Sequence, residues 1–305
     1  MTGGAGFIGS NIVEELLDLG EVSVIDDLST GDIENIELLV DKGASFIEAS
    51  ILDNEKLVDV SRGIDFIFHQ AALPSVSRSI DDPVKSNLVN VSGTLNVLEA
   101  ARKNHVKKVV YASSSAVYGD TVELPISESM KPNPLSPYAV SKLAAEYYCR
   151  VYSHIYGTPT VCLRYFNVFG PRQNPYSEYS AVIPKFISLI LEGKAPTING
   201  DGSITRDFVF VKDVVHANIQ AIKTQAEGVF NIANGKQTSL KELVKLIMNK
   251  VGTKVEIIYG PNRTGDVQDS FADITEAKDK LQYTPKYDIK KGLKETIKWY
   301  KMHAK

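Results

Sequence analysis

The chain has little of what marks several classes of protein. Its 305 residues include two cysteines, Cys149 and Cys162, which form neither a CxxC pair nor a disulfide framework. Its five histidines are scattered and offer no metal-ligand spacing. The net charge is only −3, and no Lys/Arg block of the kind found in phosphate-backbone binders is present. These absences argue against a metal site and a nucleic-acid partner.

Long apolar runs are also missing. No stretch approaches the roughly 18 residues that a membrane span needs, and no signal-peptide pattern precedes the first motif. The hydrophobic content of 43% and the charged content of 23% are those of a soluble globular protein. We therefore expect a cytoplasmic, metal-free protein of one large or two ordinary domains, with no membrane partner.

Short β-branched runs alternate with helical patterns in the first half of the chain. Four runs are predicted to be buried strands: 21–27, 64–70, 107–114 and 160–167. Helical patterns lie between them, as in 11–20, where Ile12, Leu16 and Leu19 share a face and Gly20 can end the helix. This alternation predicts a parallel sheet with helices on both faces.

The periodicity changes after about residue 168. The pattern then predicts a helix over 181–193, a strand and helix over 206–222, a helix over 238–252, a strand over 255–260 and two short helices. Ser239 and Glu242 suit a capping box for the helix over 238–252. We expect a smaller α/β lobe beside the larger one, with the chain crossing back once near 205–225.

The opening "TGGAGFIGS" places Gly3, Gly6 and Gly9 three residues apart, directly before a helix. Glycines permit a tight turn and a close approach of the backbone to a pyrophosphate, whose charge suits a helix N-terminus. Asp26 ends the next predicted strand, where a carboxylate can hold both ribose hydroxyls and repels a 2′-phosphate. The pattern predicts NAD rather than NADP. The alternative is a glycine turn kept for packing, followed by a second turn that begins at Asp26 and Asp27.

Only Met1 and Thr2 precede these glycines, although such a motif normally follows a strand. The first strand is central in this architecture, so its loss would remove ladder hydrogen bonds and buried β-branched side chains. We therefore expect a truncated first strand here, and several more apolar residues upstream in the natural protein.

"SPYAVSK" begins a predicted helix, with Ser136 as N-cap and Pro137 as its first residue. Its apolar residues share a face: Val140, Leu143, Tyr147 and Val151. Tyr138 and Lys142 lie one turn apart, so the ammonium is expected to lower the pKa of the phenol and make it a useful base. On its own, such a pair is more often a surface pair.

The predicted strand in "KKVVYASSSAVYG" ends in serines 113–115. Ligands of open α/β sheets bind at that edge, so a serine hydroxyl there can reach the same substrate oxygen as Tyr138. A polar strand end is the alternative for any single serine. The combination of serine, tyrosine and lysine predicts a catalytic helix.

Six motifs occur in the order "TGGAGFIGS", "HQAA", "SSSAVYG", "SPYAVSK", "LRYFNVFG" and "RTGDV". Together they resemble an extended short-chain dehydrogenase/reductase of the UDP-hexose 4-epimerase family, closest to its UDP-N-acetylglucosamine 4-epimerase subgroup. The resemblance implies a Rossmann-type doubly wound parallel sheet with a smaller C-terminal α/β substrate lobe. The NAD-binding domain would comprise 1–166 plus about 205–228. The UDP-sugar lobe would comprise about 167–204 plus 229–305.

The resemblance also implies catalytic roles. Tyr138 would take the proton of the sugar O4 while a hydride passes from C4 to bound NAD, and Ser114 would assist it. Lys142 would bond the nicotinamide ribose and keep the tyrosine acidic. The 4-keto sugar would then turn over in the site and receive the hydride on its other face.

Cofactor contacts follow from the same resemblance: Gly3, Gly6, Phe7, Ile8, Gly9, Asp26, Asp27, Ser50, Ile51, Gln70, Ala71, Ala72, Asn90, Tyr138 and Lys142. Ser50 stands where family members often carry an acidic residue near the adenine. A serine can still accept from an amino group, so the adenine contact is altered rather than lost.

Substrate contacts implied by the resemblance are Ser75, Ser114, Asn167, Gln173, Val182, Arg206, Arg263, Asp266 and Ser270. Asn167 would touch the diphosphate, and the two arginines would neutralise it. Asp266 would hold the uridine ribose. Without the resemblance, Arg263 and Asp266 would be read as a surface ion pair.

By the same resemblance, Ser270 would occupy the position that gates the 2-substituent of the sugar. A small residue there admits an N-acetyl group, so the resemblance implies interconversion of UDP-N-acetylglucosamine and UDP-N-acetylgalactosamine, with UDP-glucose and UDP-galactose as a slower pair. Pro74 departs from the glycine often seen beside this pocket. The alternatives are a UDP-glucose 4-epimerase only, or a non-catalytic NAD-binding regulator.

A 4,6-dehydratase is disfavoured, because Ser115 and Ala116 stand where that class needs an Asp-Glu pair. Relatives are commonly dimers through helices of the larger lobe, so a homodimer is also expected.

Overall fold

The computed structural model describes residues 1–175, 181–261 and 268–303. The strands are β1 Ser23–Asp26, β2 Ser45–Glu48, β3 Phe66–His69, β4 Lys108–Ser114, β5 Thr160–Tyr165, β6 Asn167–Phe169, β7 Thr197–Asn199, β8 Thr205–Arg206, β9 Phe208–Phe210, β10 Gly228–Ile232, β11 Thr238–Ser239 and β12 Ile258–Gly260. The helices are α1 Phe7–Leu16, α2 Glu34–Asp41, α3 Asn54–Val60, α4 Val76–Asp81, α5 Pro83–Asn87, α6 Gly93–Lys103, α7 Pro137–Tyr156, α8 Val182–Leu191, α9 Val211–Lys223, α10 Leu240–Val251, α11 Thr275–Leu281 and α12 Ile289–Met302.

The larger sheet is parallel throughout. β1 pairs with β2, while β3, β4, β5 and β10 form a continuous ladder. Thr2 bridges Ile25 of β1 and His69 of β3, both in parallel. The spatial order is therefore β2, β1, Thr2, β3, β4, β5, β10, and the central position is held by a single bridging residue.

Side chains of β4 alternate between two cores. Val110 and Ala112 pack in the cluster that contains Ile12 of α1 and Val214 of α9. Val109 packs in the cluster that contains Leu98 of α6 and residues of α7. A parallel strand buried on both faces needs helices on both sides, so the predicted doubly wound α/β sheet is confirmed.

The four predicted strands form with shorter ends than the sequence indicated. The first predicted helix also differs, because α1 begins at Phe7 and ends at Leu16. Leu19 therefore lies beyond the helix and is 51% exposed rather than part of its buried face. The predicted cap at Ser239 is present, since its hydroxyl accepts from the Glu242 amide at 3.2 Å.

A third core joins α8, α10 and α12 with β6 and β9, around residues such as Ile187, Leu243 and Leu293. Between α8 and α10 the chain returns to the large sheet, where α9 packs on α1 and β10 pairs with β5. The expected substrate lobe began at 229, whereas Gly228–Ile232 is an edge strand of the large sheet. The division into two domains otherwise stays a prediction.

Within the described ranges, no helix combines the length and the apolar character needed to cross a bilayer. The same ranges hold no group of three or more His, Cys, Asp or Glu side chains that could bind a metal ion. Both cysteines are buried and free.

Candidate active site

The glycine-rich turn lies where Thr2 leaves the sheet, and two of its glycines tolerate no side chain. Gly3 has a φ of +71°, and a Cβ there would lie 2.5 Å from the Ala71 amide nitrogen. A Cβ on Gly9 would lie 2.0 Å from the Gly3 carbonyl oxygen. The turn can therefore close only because these positions lack side chains.

Helix α1 begins directly after this turn. Its N-cap, Gly6, provides no side-chain acceptor for the first amides of the helix. The first-turn N–H groups of a helix have no partner within it, and the helix dipole places positive charge there. Phe7 and Ile8 line a cleft at this end, so the helix offers the donors that a phosphate group needs.

Asp26 lies at the C-terminal end of β1, opposite that helix end. Its carboxylate accepts hydrogen bonds from the Ala5 amide at 3.0 Å and the Leu28 amide at 2.9 Å. Desolvation outweighs these bonds and raises the pKa of Asp26 above its usual value. Burial opposes ionisation of Asp27 too, but hydrogen bonds from Ser29 and Ser50 lower the pKa of Asp27 overall.

A cleft of about 270 Å³ runs along the C-terminal ends of the strands. Most of the cofactor residues expected from the sequence line it: Gly3, Gly6, Phe7, Ile8, Gly9, Asp26, Asp27, Ile51, Gln70, Ala71, Ala72, Tyr138 and Lys142. Ser50 and Asn90 are not among its lining residues. Ser50 instead hydrogen-bonds the carboxylate of Asp27.

The predicted catalytic residues meet at one end of this cleft. The Ser136 hydroxyl accepts from the Ala139 amide at 3.1 Å and Pro137 is the first residue of α7, so the predicted helix start is confirmed. The Ser114 hydroxyl, at the end of β4, hydrogen-bonds the Tyr138 hydroxyl. The Lys142 Nζ lies 6.0 Å from the centroid of the Tyr138 ring.

The electrostatics of this group differ from the sequence-based expectation. Burial raises the pKa of Tyr138 above 10, and the hydrogen bond from Ser114 only partly offsets this effect. Lys142 is 4% exposed and donates to the Ala112 carbonyl at 2.8 Å. Desolvation lowers the pKa of Lys142 to about 8. The expected lowering of the tyrosine pKa by Lys142 is wrong for this arrangement, because burial dominates both groups.

Asn90 supports the helix that carries these groups. It lies in a π-helical turn, Leu88–Ser92, and is 1% exposed. Its side chain bonds the Leu73 amide at 2.8 Å and donates to the Ser141 hydroxyl at 3.0 Å. Ser141 in turn donates to the Tyr138 carbonyl at 2.8 Å. Asn90 therefore ties the loop after β3 to the first turn of α7.

A second cavity, of about 390 Å³, lies between β6, β7 and α8. It brings together three predicted substrate residues, Asn167, Val182 and Arg206. Helix α8 begins at this cavity without a side-chain cap, so its first amides have no partner within the helix. Lys185 adds a second cation to the lining. Two cations and a helix N-terminus suit a diphosphate.

The remaining substrate residues are dispersed. Ser75 caps α4, accepting from the Arg78 amide at 3.1 Å, and Gln173 donates to the Val168 carbonyl at 3.3 Å. Ser270 is half-buried within 268–273. Neither cavity includes these three residues in its lining. Arg263 and Asp266 lie outside the described residues.

Asp207 fixes the segment that carries Ser270. This fully buried carboxylate accepts from the Ala272 amide at 3.2 Å and the Asn234 amide at 2.8 Å. The backbone carbonyl of Asp207 accepts a hydrogen bond from the Asn167 side-chain amide at 3.1 Å. Burial raises the pKa of Asp207 to about 6. The second cavity and the segment around Ser270 thus share one anchor.

Some lining residues were not predicted from the sequence. Tyr165 lines the first cleft, and its hydroxyl accepts from Gln70 at 3.0 Å and from Asn218 at 2.8 Å. It stands in the motif "LRYFN", from which only Asn167 was selected. Lys185 lacked any local signal, because its place in the second cavity depends on segments that are distant in the chain.

Comparison with known proteins agrees with this geometry. Residues 1–233 match the NAD dependent epimerase/dehydratase family. The chain belongs to this family. A putative UDP-glucose 4-epimerase of Methanocaldococcus jannaschii is 41% identical over 304 residues, covering 99% of this chain and 97% of the relative. The UDP-glucose 4-epimerase of Mycolicibacterium smegmatis is 40% identical over 306 residues, with 99% and 97% coverage.

Two solved structures are similar to this chain over nearly its whole length. The UDP-N-acetylglucosamine 4-epimerase of Methanobrevibacter ruminantium, in complex with UDP-N-acetylmuramic acid, has a TM-score of 0.96 and 41% identity, covering 99% of this chain and 97% of its own. The Thermus thermophilus UDP-glucose 4-epimerase in complex with NAD has a TM-score of 0.90 and 38% identity, with 98% and 97% coverage. The predicted family, the NAD cofactor and the class of enzyme, an isomerase, are confirmed.

The glycine turn yields a test of cofactor binding. Gly9→Ala places a methyl group against the Gly3 carbonyl, so we expect NAD affinity to fall by at least about 100-fold, or roughly 3 kcal/mol. Isothermal titration with NAD measures the change, with thermal unfolding as a check on the fold. Gly20→Ala is the matched control, because a Cβ there has nothing within 4 Å. Unchanged affinity in Gly9→Ala would contradict the assignment of the cleft.

Proposed function

We propose that the protein is a UDP-sugar 4-epimerase that interconverts UDP-N-acetylglucosamine and UDP-N-acetylgalactosamine, with UDP-glucose and UDP-galactose as a slower pair. One observation carries the proposal. Tyr138, hydrogen-bonded to Ser114 and one helical turn from the buried Lys142, lies at the end of the glycine-lined cleft.

The first cleft fits NAD by the chemistry of its walls. Gly3 and Gly9 let the backbone come close, Phe7 and Ile8 present first-turn amides to a pyrophosphate, and Asp26 offers a carboxylate to ribose hydroxyls. When bound, NAD supplies a reversible store for one hydride. Lys142, on the same wall as Tyr138, is the cation available to the nicotinamide ribose.

Tyr138 moves the proton. In this proposal Tyr138 acts as the phenolate: its oxygen takes the proton from the sugar O4 as the 4-keto sugar forms, and returns that proton after the sugar has turned over. Ser114 holds the same O4 and stabilises the phenolate through its hydrogen bond. The Lys142 pKa of about 8 leaves the ammonium mostly protonated at neutral pH, so it remains a cation when the phenolate appears.

The second cavity suits the nucleotide. Arg206 and Lys185 carry the positive charge that a diphosphate needs, and Asn167 lines the same cavity. Substrate contacts at Ser75, Gln173 and Ser270 remain part of the proposal, as do those at Arg263 and Asp266, which lie outside the described residues.

Two rival functions are weaker. A dehydratase needs acidic groups beside the catalytic serine, where this chain has Ser115 and Ala116. A non-catalytic NAD-binding regulator has no need of a serine, a tyrosine and a buried lysine at one point of the cleft. A UDP-glucose 4-epimerase without activity on N-acetylated sugars is the nearest alternative.

A homodimer belongs to the same proposal. One face of α7 is apolar and exposed, with Val140 at 51%, Tyr147 at 53% and Val151 at 40%. Helix α5 packs beside α7 and continues this surface through Val84, which is 78% exposed, and the turn after it through Leu88, at 47%. A contiguous apolar surface of this kind indicates an interface, and a two-fold axis would bury it against its own copy.

Turnover tests the catalytic assignment. Tyr138→Phe removes the proton acceptor, so we expect kcat for UDP-N-acetylglucosamine to fall by about 10²- to 10⁴-fold while NAD affinity is kept. Chromatographic separation of the two UDP-sugars measures turnover. Tyr156→Phe, which alters a 51% exposed residue of the same helix, serves as control. Full activity of Tyr138→Phe would refute the mechanism.

The preference between N-acetylated and plain UDP-sugars tests whether Ser270 gates the 2-substituent. Ser270→Tyr would narrow the pocket, so we expect kcat/KM for UDP-N-acetylglucosamine to fall by at least about 10-fold while that for UDP-glucose changes little. Ser45→Tyr, on the exposed edge strand β2, is the control for the added ring. If both sugars lose equally, Ser270 does not gate the 2-substituent. If the unaltered protein converts only UDP-glucose, it is a UDP-glucose 4-epimerase without activity on N-acetylated sugars.

The oligomeric state tests whether the exposed apolar face of α7 is the dimer interface. Sedimentation at micromolar concentration should give a dimer for the unaltered protein and a monomer for Val151→Lys, because a buried unpaired ammonium is costly. Leu38→Lys, at a 65% exposed position of α2, should leave the dimer intact. A dimer that survives Val151→Lys would place the interface elsewhere.

A further inference from the structure

Asp207 is a fully buried carboxylate whose hydrogen bonds come from backbone amides. It accepts from the amides of Asn234 at 2.8 Å, Gly235 at 2.9 Å and Ala272 at 3.2 Å. None of the ion pairs formed by the described residues includes it. A buried charge without a counter-ion is costly, so this carboxylate adds little stability. It does fix the relative positions of the segments that carry its donors.

Hydrogen bonds hold the chain on both sides of Ser270. Before it, the Gln268 carbonyl accepts from the Thr205 amide of β8 at 3.1 Å. After it, the Ala272 amide donates to the Asp207 carboxylate. The backbone around Ser270 is therefore held against β8 and the residue that follows β8.

Asp207 is equally close to the residues that line the second cavity. Arg206, its neighbour in the chain, lines this cavity, as does Asn167. The Asn167 side chain donates to the Asp207 backbone carbonyl. One buried residue thus contacts the wall assigned to the diphosphate through its main chain and the segment that carries Ser270 through its carboxylate.

We propose that Asp207 is a positioning residue for the nucleotide sugar, which fixes the diphosphate wall at Arg206 and Asn167 relative to the segment that carries Ser270. The inference rests on the proposed function, in which the substrate spans both parts. A ligand that spans two parts binds with full affinity only when both are already in place. A carboxylate suits this role because both of its oxygens accept, whereas an asparagine would turn an N–H₂ group toward amide donors.

Asp207→Asn tests the role with a side chain of the same size. We expect the affinity for UDP, measured by isothermal titration, to fall at least about tenfold, because the amides of Ala272 and Asn234 lose their shared acceptor. KM for UDP-N-acetylglucosamine should rise by a similar factor. The turnover number should stay within about twofold and NAD affinity should be unchanged, since Asp207 does not line the first cleft.

Asp213→Asn is the matched control. Asp213 is 1% exposed and also accepts from two backbone amides, those of Lys286 at 2.8 Å and Tyr287 at 3.1 Å. These amides belong to no predicted substrate segment. Both variants should lower the unfolding midpoint, but Asp213→Asn should keep the UDP affinity and KM of the unaltered protein.

Hydrogen exchange in the unaltered protein gives a second measurement, which decides the matter even if Asp207→Asn does not fold. Because a ligand stabilises the bonds on which its site depends, saturating UDP should slow exchange at the Ala272 and Asn234 amides at least about tenfold. Exchange at the Lys286 and Tyr287 amides should not change.

Equal losses of UDP affinity in the two variants, or no loss in either, would overturn the proposal. Equal slowing of exchange at the two pairs of amides would overturn it as well, as would an unaltered protein that does not bind UDP. UDP binding and amide exchange need no turnover, so a failure of the epimerase assignment would be seen separately, as UDP binding without conversion of any UDP-sugar.

Discussion

The turn at Gly3 passes very close to the backbone of Ala71, and this close approach determines much of the structure. The Gly3 turn passes so near Ala71 that a Cβ would lie 2.5 Å from its amide nitrogen, and the same turn contacts Gly9. Because the turn closes this tightly, α1 begins immediately and its first amides face the strand ends. Asp26 is held in the same arrangement, since its carboxylate accepts from the Ala5 amide within the turn. A single steric condition thus determines both the anion site and the ribose site.

The catalytic end of the cleft depends on a buried charge arrangement instead. Lys142 and Glu146 are one turn apart on α7, but Glu146 pairs with Arg164 of β5 at 2.6 Å, where the two side chains are 3% and 5% exposed. Ser113 also donates to Glu146, at 2.5 Å. Because Glu146 already accepts from Arg164 and Ser113, the Lys142 ammonium donates to the Ala112 carbonyl instead and lines the cleft. Removing one partner of such a pair would leave a buried charge uncompensated, which costs far more than an exposed pair contributes.

Local sequence signals were sufficient for part of the site. The glycine spacing, the Ser136 cap and the Tyr138–Lys142 separation are set by neighbours within one turn, and the structure has all three. Tyr165 and Lys185 depend on packing between distant segments, so the sequence indicated the role of neither. Asn90 was expected to contact the cofactor, whereas the structure shows its side chain bonding the Leu73 amide and the Ser141 hydroxyl. The tyrosine pKa was misjudged because the sequence gives a spacing between charges but not the desolvation of each, and here desolvation is the larger effect.

The residue before the glycine turn links the sheet to the site. Thr2 is the sheet residue that leads into the Gly3 turn, and its side chain bonds the buried His69 at 2.7 Å. His69 bonds Thr94 of α6 at 2.9 Å, and burial lowers the pKa of His69 to about 3, so the ring stays neutral. The bonds from Thr2 to His69 and from His69 to Thr94 therefore connect the glycine turn to β3 and to α6.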